Sequence, residues 1–232
     1  MLRSNAILAS LSASDSAALH PYLRPVELQQ KTVLYNAGDS VNHVYFPTTA
    51  VISLVVALIT GETTEAAMVG NDGAVGMASV LDGRIASSRA IVQLGGEAMA
   101  CSPAGFRSAV LQSEKLLGTA MRHEQALFAQ AQQSTACMAQ HEVEARLCKW
   151  LLRARDLSGS DKLPFTQEFL GEMLGVRRTS VTTVAHTLQG AGIIQYSRGN
   201  IRIVDVERLR DSACECYDTV KEQYRLLLEP SK

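Results

Sequence analysis

The chain has 232 residues, 47% of them apolar and 19% charged, with a formal net charge of −1. That is enough for one large or two small domains of ordinary globular composition, and the overall charge gives no sign of a polyanion partner. No apolar run approaches the roughly 20 residues needed to cross a bilayer, and Met1 to Ser14 has no compact apolar core followed by a cleavage site, so no membrane partner and a cytoplasmic location are expected.

Leu8, Leu11, Ala18 and Leu19 carry helical spacing up to Pro21. From Val26 to about Met99 short β-branched runs are cut by turn residues. Candidate strands are Thr32 to Tyr35, Val44 to Phe46, Ala50 to Leu58, Glu65 to Val69, Ala90 to Leu94 and Ala98 to Cys101, with turns at Ala37-Gly38-Asp39, Thr60-Gly61-Glu62 and Gly95-Gly96. Many short strands at regular spacing predict an antiparallel barrel or roll.

A long helix is expected from about Pro103 to His141. Along it Leu117, Met121, Glu124, Phe128, Ala131, Thr135 and Met138 alternate at spacings of four and three, with Leu127 beside them. A long helix with one narrow apolar stripe buries that stripe against a copy of itself, so these residues form the expected homodimer interface.

A further helix, Val143 to Leu157, leads through the polar linker Ser158-Gly159-Ser160-Asp161 to two short helical patterns separated by Gly175, then to a two-stranded hairpin. That is a winged helix-turn-helix, with Thr166 placed to cap its first helix. In the second helix Val181, Val184, Ala185 and Leu188 make an inward stripe, which leaves Arg177, Arg178, Thr179, Thr182, Thr183 and His186 outside. Together with Thr166, Ser180 and Arg198 of the wing, they are the candidate DNA-binding residues. No Asp or Glu lies between Met173 and Val204, whereas Arg177, Arg178, Arg198 and Arg202 do. Such a local basic face on a neutral chain fits a focused phosphate footprint.

A last helix is expected from Asp205 to Glu229, carrying Cys214 and Cys216. The 5 cysteines, Cys101, Cys137, Cys148, Cys214 and Cys216, are odd in number and dispersed, which argues against a disulfide framework. On one helix Cys214 and Cys216 would point to different sides, with no His or further Cys nearby to complete a ligand set. Ordinary buried thiols, and no metal site, are expected.

The expected fold is α+β, with a β-roll over 1–112, a dimerisation helix over 113–142 and a winged helix-turn-helix over 143–232. This order resembles the Crp/Fnr family of bacterial transcription regulators over nearly the whole chain. The resemblance rests on Gly38-Asp39, Val44-Tyr45-Phe46 and Gly73-Ala74-Val75-Gly76, and more specifically on Thr166-Gln167-Glu168 with Leu174 to Val181. It implies a cyclic-nucleotide-binding-domain-like roll, pseudo-palindromic double-stranded DNA as partner, and contact with RNA polymerase. Arg178 matches the recognition-helix arginine with which the family reads guanine, as a guanidinium can by donating two bonds to O6 and N7. Thr179 stands where many relatives have Glu, and Thr183 where the family's namesake has a second Arg. Both changes remove a strong base contact and imply a different half-site.

By the same resemblance the effector pocket would comprise Gly73, Ala74, Val75, Gly76, Ser87, Ser88, Arg89, Ala131 and Gln132. Ala74 occupies the place of the Glu that holds a ribose hydroxyl, Arg84 and Arg89 are out of register with the phosphate arginine, and Ala131 and Gln132 replace the pair that touches adenine. Cyclic AMP control is therefore not expected, and the effector stays open. No Cys precedes Cys101, so an Fnr-type iron–sulfur cluster has no ligands; His20, His43 and His123 are isolated, and no cofactor is expected. A cupin-like enzyme would need clustered His and carboxylate ligands in the roll, which offers only His43 after the N-terminal helix. With no nucleophile elbow either, a regulator rather than an enzyme is expected.

Overall fold

The structure, a computed structural model, describes residues 4–82 and 85–228. Two short helices open it, α1 (Ala6–Ser10) and α2 (Ala13–Leu19). Asn5 caps α1 by accepting the amides of Ile7 and Leu8, while its own amide donates to the carbonyls of Pro47 and Gly73 at 2.8 Å each. One fully buried side chain thus pins the N-terminal helix to the roll, and all its polar atoms are satisfied.

The roll contains β1 (Leu23–Leu28), β2 (Val33–Tyr35), β3 (Val44–Pro47), β4 (Val51–Ala57), β5 (Thr63–Val69), β6 (Arg89–Leu94) and β7 (Gly96–Cys101). They form two antiparallel sheets, β1-β7-β3 and β2-β6-β4-β5. Six of these strands lie where the short β-branched runs and turn residues place them. The unpredicted one, β1, contains Pro25, which cannot donate to a ladder; it is tolerated because β1 is an edge strand. Val44, Phe46, Ile52, Val69, Val92 and Phe106 fill the core between the sheets.

The single helix expected from Pro103 to His141 is two. After the short α3 (Met77–Asp82) come α4 (Pro103–Leu111) and α5 (Glu114–Gln140). Ser113 takes an extended backbone and accepts the amide of Leu116, which starts α5 afresh. With neither Gly nor Pro at the junction, only the cap geometry reveals the break.

The helix α6 (Val143–Ser158) ends at Gly159 in the left-handed region. Then follow β8 (Lys162–Leu163), α7 (Gln167–Leu174), α8 (Arg178–Gly190), β9 (Ile194–Ser197) and β10 (Asn200–Ile203), the strands ordered β8-β10-β9. The wing therefore has a third, very short strand beyond the expected two-stranded hairpin. The expected final helix is also two, α9 (Val206–Asp211) and α10 (Cys216–Leu228), with the chain turning between Ser212 and Glu215. Glu229 lies outside the described residues.

The winged part is not an independent bead. Its core residues Leu147, Leu151, Leu157, Phe165 and Leu174 are continuous with Val51, Val55 and Met68 from the outer face of the roll. Trp150 Nε1 donates to Glu65 at 3.0 Å, and the same buried carboxylate receives Ser53 Oγ and Gln93 Nε2. Arg153 pairs with Asp72 at 2.6 Å. Gly175, at φ 62, would bring a Cβ within 3.1 Å of Thr64 Oγ1 of the roll. Gly175→Ala is therefore expected to lower stability by about 1–2 kcal/mol, through the left-handed backbone penalty, measured by urea denaturation.

Candidate functional site

The helix-turn-helix is built by caps. Thr166 Oγ1 accepts the amide of Phe169 and begins α7. At its other end Val176 N–H donates to the Gly171 carbonyl and Gly175 N–H to that of Glu172. This pair of hydrogen bonds requires positive φ at Gly175 and reverses the chain in one turn. A Cβ on Gly171 would sit 2.9 Å from the Val176 carbonyl oxygen, so the tight turn depends on glycine there as well. Arg177 then holds the cap position of α8 with an extended backbone and no side-chain cap bond.

On α8, Val181, Ala185 and Leu188 are buried and Val184 is half-buried. Arg177, Arg178, Thr179, Thr183 and His186 are exposed, as the periodicity predicts, and Ser180 and Thr182 are half-buried. Thr182 departs from its expected role: its hydroxyl lies 2.7 Å from Gln167 Oε1 and 3.0 Å from the Arg178 carbonyl, tying α8 to α7. In the wing, Arg198 at φ 45 and Gly199 at φ 81 form the two-residue turn between Ser197 and Asn200. Both positive φ values match the strand twist of a tight hairpin and hold Arg198 exposed at the tip. Arg177, Arg178, Arg198 and Arg202 take part in none of the ion pairs found among the described residues. Their guanidinium charges face solvent.

The roll's candidate effector residues differ widely in exposure. Gly73, Ala74 and Val75 are buried, and the Ala74 amide donates at 3.1 Å to Nε2 of His123 on α5. A Cβ on Gly73 would meet that nitrogen at 2.6 Å, so α5 packs directly onto this turn. Gly76, at φ 92, is half-buried; Ser87 is exposed; Ser88, Arg89 and Ala131 are half-buried; Gln132 is exposed. Arg84 lies outside the described residues. A groove of about 1000 Å³ between α1, α6 and α10, bordered by Asn71, Asp72, Arg153, Asp156 and Lys221, is lined by none of the candidate set.

His123 carries a testable consequence. Burial pushes its pKa down from 6.5 to about 4, against the opposing charge of Asp72, and Glu124 Oε1 lies 4.0 Å from its Nδ1. The native state therefore keeps this imidazole neutral while the unfolded chain binds a proton below 6.5. Stability is expected to be intact above that pH and to fall towards pH 4, by up to about 1.4 kcal/mol per pH unit from this group. In His123→Gln the amide oxygen still accepts from Ala74 but cannot titrate. Urea denaturation from pH 7 to 5 should show a shallower slope in the variant, and equal slopes would remove His123 as the source.

Along α5 Leu116, Ala120, His123, Ala126, Leu127, Gln130 and Cys137 are buried, the first six facing the roll and Cys137 packing against Cys214 and Cys216. On the opposite side Met121 and Phe128 are each 64% exposed, Thr135 is exposed, and Ala131 and Met138 are half-buried. Three expected seam residues turn elsewhere: Leu117 is half-buried and packs against the roll's core. Leu127, only 8% exposed, packs in the core of its own roll, and Glu124 Oε1 accepts the Ala78 amide at 3.3 Å.

The expectation of ordinary, scattered thiols is also corrected. Because α9 and α10 are separated by a turn, Cys214 and Cys216 meet Cys137 and His141 at the end of α5. The ligand atoms of all four lie within 4.8 Å of one another. The i, i+4 spacing of Cys137 and His141 was the available signal, but their partners are more than seventy residues away.

Residues 145–212 match the model of the Crp-like helix-turn-helix domain. No curated protein matches the chain. Among solved structures, a Crp/Fnr-family transcriptional regulator from Eubacterium rectale superposes with a TM-score of 0.70 at 13% identity, over 90% of this chain and 98% of that one. FixK2 from Bradyrhizobium japonicum gives 0.69 at 13% identity, over 83% and 98%. The regulator CLP of Xanthomonas campestris, described as c-di-GMP responsive, gives 0.66 at 12% identity, over 83% and 99%.

Proposed function

We propose that this chain, which carries a Crp-like helix-turn-helix domain within the fold of Crp/Fnr-type transcription regulators, is a homodimeric, sequence-specific DNA-binding transcription regulator that does not answer to cyclic AMP. The observation that carries the reading is the outer face of α8 and the wing, where Arg177, Arg178, Arg198 and Arg202 stand with no acidic residue in the intervening sequence. Arg178, Thr179, Thr183 and His186 face the bases; Arg177 and Arg198 face phosphates. The exposed Met121 and Phe128 supply the dimer face, which sets two recognition helices on successive major grooves of a pseudo-palindromic duplex. RNA polymerase is the further partner, and the cytoplasm, where such DNA lies, the place of action. Selection from a random duplex pool tests the function: an inverted repeat supports it, and its absence removes the basis for the reading.

Independence from cyclic AMP rests on the roll. A ribose hydroxyl needs an acceptor, but position 74 is a buried alanine whose amide is already bonded to His123. Each unsatisfied polar group costs roughly 1–3 kcal/mol, and a loss of about 4 kcal/mol weakens a micromolar ligand to near millimolar. Calorimetry is expected to show no saturable cyclic AMP binding and no effect on operator affinity. A low-micromolar affinity coupled to DNA binding would mean that Arg84 or Arg89 reaches the phosphate. A different small molecule is the alternative effector; the c-di-GMP-responsive regulator of similar fold supports that breadth.

A further inference from the structure

Cys137 lies in the last full turn of α5 and His141 caps the helix, so the two share a face one turn apart. The break between α9 and α10 lays Cys214 and Cys216 against them. The Cys214 amide is held by the Ala145 carbonyl at 3.4 Å, which ties the turn to the start of α6. Cys137, Cys214 and Cys216 are all buried. Their sulfurs meet each other and the imidazole: Cys137 Sγ is 3.6 Å from Cys214 Sγ, and Cys216 Sγ is 3.5 Å from His141 Nδ1.

From these distances we propose that Cys137, His141, Cys214 and Cys216 form a Cys₃His site for a single zinc ion, at the joint between the long helix and the winged domain.

Tetrahedral zinc, with bonds of about 2.3 Å to sulfur and about 2.05 Å to nitrogen, requires ligand-to-ligand edges of roughly 3.8 Å between sulfurs and 3.6 Å from sulfur to nitrogen. The Cys137–Cys214 and Cys216–His141 contacts, at 3.6 and 3.5 Å, are close to those edges, and all four ligand atoms lie within 4.8 Å of one another. An iron–sulfur cluster needs its thiolates spread over several irons, and four ligand atoms all within 4.8 Å of one another fit around one ion instead. A disulfide needs sulfurs about 2.05 Å apart, shorter than this approach.

The surroundings also suit a metal. With Nδ1 turned to the cysteines, His141 places Nε2 3.2 Å from Glu215 Oε1. A carboxylate on the outer nitrogen fixes the tautomer and orientation of a ligating histidine. Gln133 Nε2 donates to Cys216 Sγ at 3.1 Å. Binding converts three thiols to thiolates and releases their protons, so affinity rises with pH. Because its ligands come from the end of α5, the α9–α10 turn and the first residue of α10, the ion would fasten the C-terminal segment to the long helix.

Cobalt(II) reports this geometry directly. Full-length protein, purified reduced and stripped by chelator, is expected to take up one cobalt per chain, with the strong visible bands of a tetrahedral, thiolate-rich site and a sulfur-to-metal charge-transfer band. Zinc should bleach them. Cys216→Ser should lose the charge-transfer intensity. Glu215→Gln alters a largely exposed carboxylate outside the ligand set, so it leaves the fold intact whether or not the cysteine variants fold; it should weaken cobalt binding about 10- to 100-fold. Weak octahedral-type absorption at stoichiometric cobalt would overturn the site, as would an unchanged spectrum in Cys216→Ser or unchanged affinity in Glu215→Gln. So would a Cys137–Cys214 disulfide formed in air by protein that binds no cobalt when reduced. None of these readouts depends on DNA.

Discussion

Phe128→Glu is expected to convert a dimer into a folded monomer at micromolar concentration. Phe128 is 64% exposed in the single chain, so its replacement removes nothing from the roll's own core. In a dimer joined along α5, two carboxylates would meet in an apolar seam, at a cost of several kcal/mol and on the order of a thousandfold in association. Light scattering reads the mass, and circular dichroism confirms that the chain stays folded. Leu127→Ala, one residue away, makes the contrast: Leu127 is packed inside its own roll, so the expected loss is roughly 2–4 kcal/mol of unfolding free energy with the dimer retained. A monomeric wild-type chain, or a dimer unaffected by Phe128→Glu, would place the interface elsewhere.

Arg178→Ala is expected to weaken operator binding by roughly 1–3 kcal/mol and to relax preference at one base pair in each half-site. Arg178 is the first residue of α8, exposed and outside the ion pairs found among the described residues, so its guanidinium is free to meet a base edge. Arg177→Ala and Arg198→Ala should behave differently. Each should lower affinity for all sequences alike and reduce the slope of log affinity against log salt by about 0.9 for every phosphate left without its cation. Binding isotherms on the selected operator and on scrambled duplex, at several salt concentrations, separate the two patterns. If Arg178→Ala preserves the base preference, α8 is not the reading helix.

The helix-turn-helix and most of the roll were legible because their signals are local. Gly175 ends one helix, Thr166 begins it, the apolar spacing of Val181, Ala185 and Leu188 gives the buried face, and short β-branched runs between glycines give strands. Each follows from backbone conformation or from a period of 3.6 or 2 within a few residues. The breaks at Ser113 and after Asp211 were not legible, because Ser and Ala are compatible with a helix interior and only the surrounding packing selects the cap.

The amino-acid sequence by itself therefore determined the succession of roll, long helix and winged motif, and that motif's exposed arginines. Tertiary structure alone decided which side of α5 remains open, since Leu127 and Phe128 are adjacent apolar residues and only the roll's position buries one and leaves the other outside. It also decided that His123 closes on Ala74 and that Trp150 docks on Glu65. The cysteine site belongs to the same class. Cys137 and Cys214 are separated by 77 positions, and no local period links them; the turn between α9 and α10 and the return of α10 along α5 bring their sulfurs together, a property of chain path that spacing along the sequence does not encode.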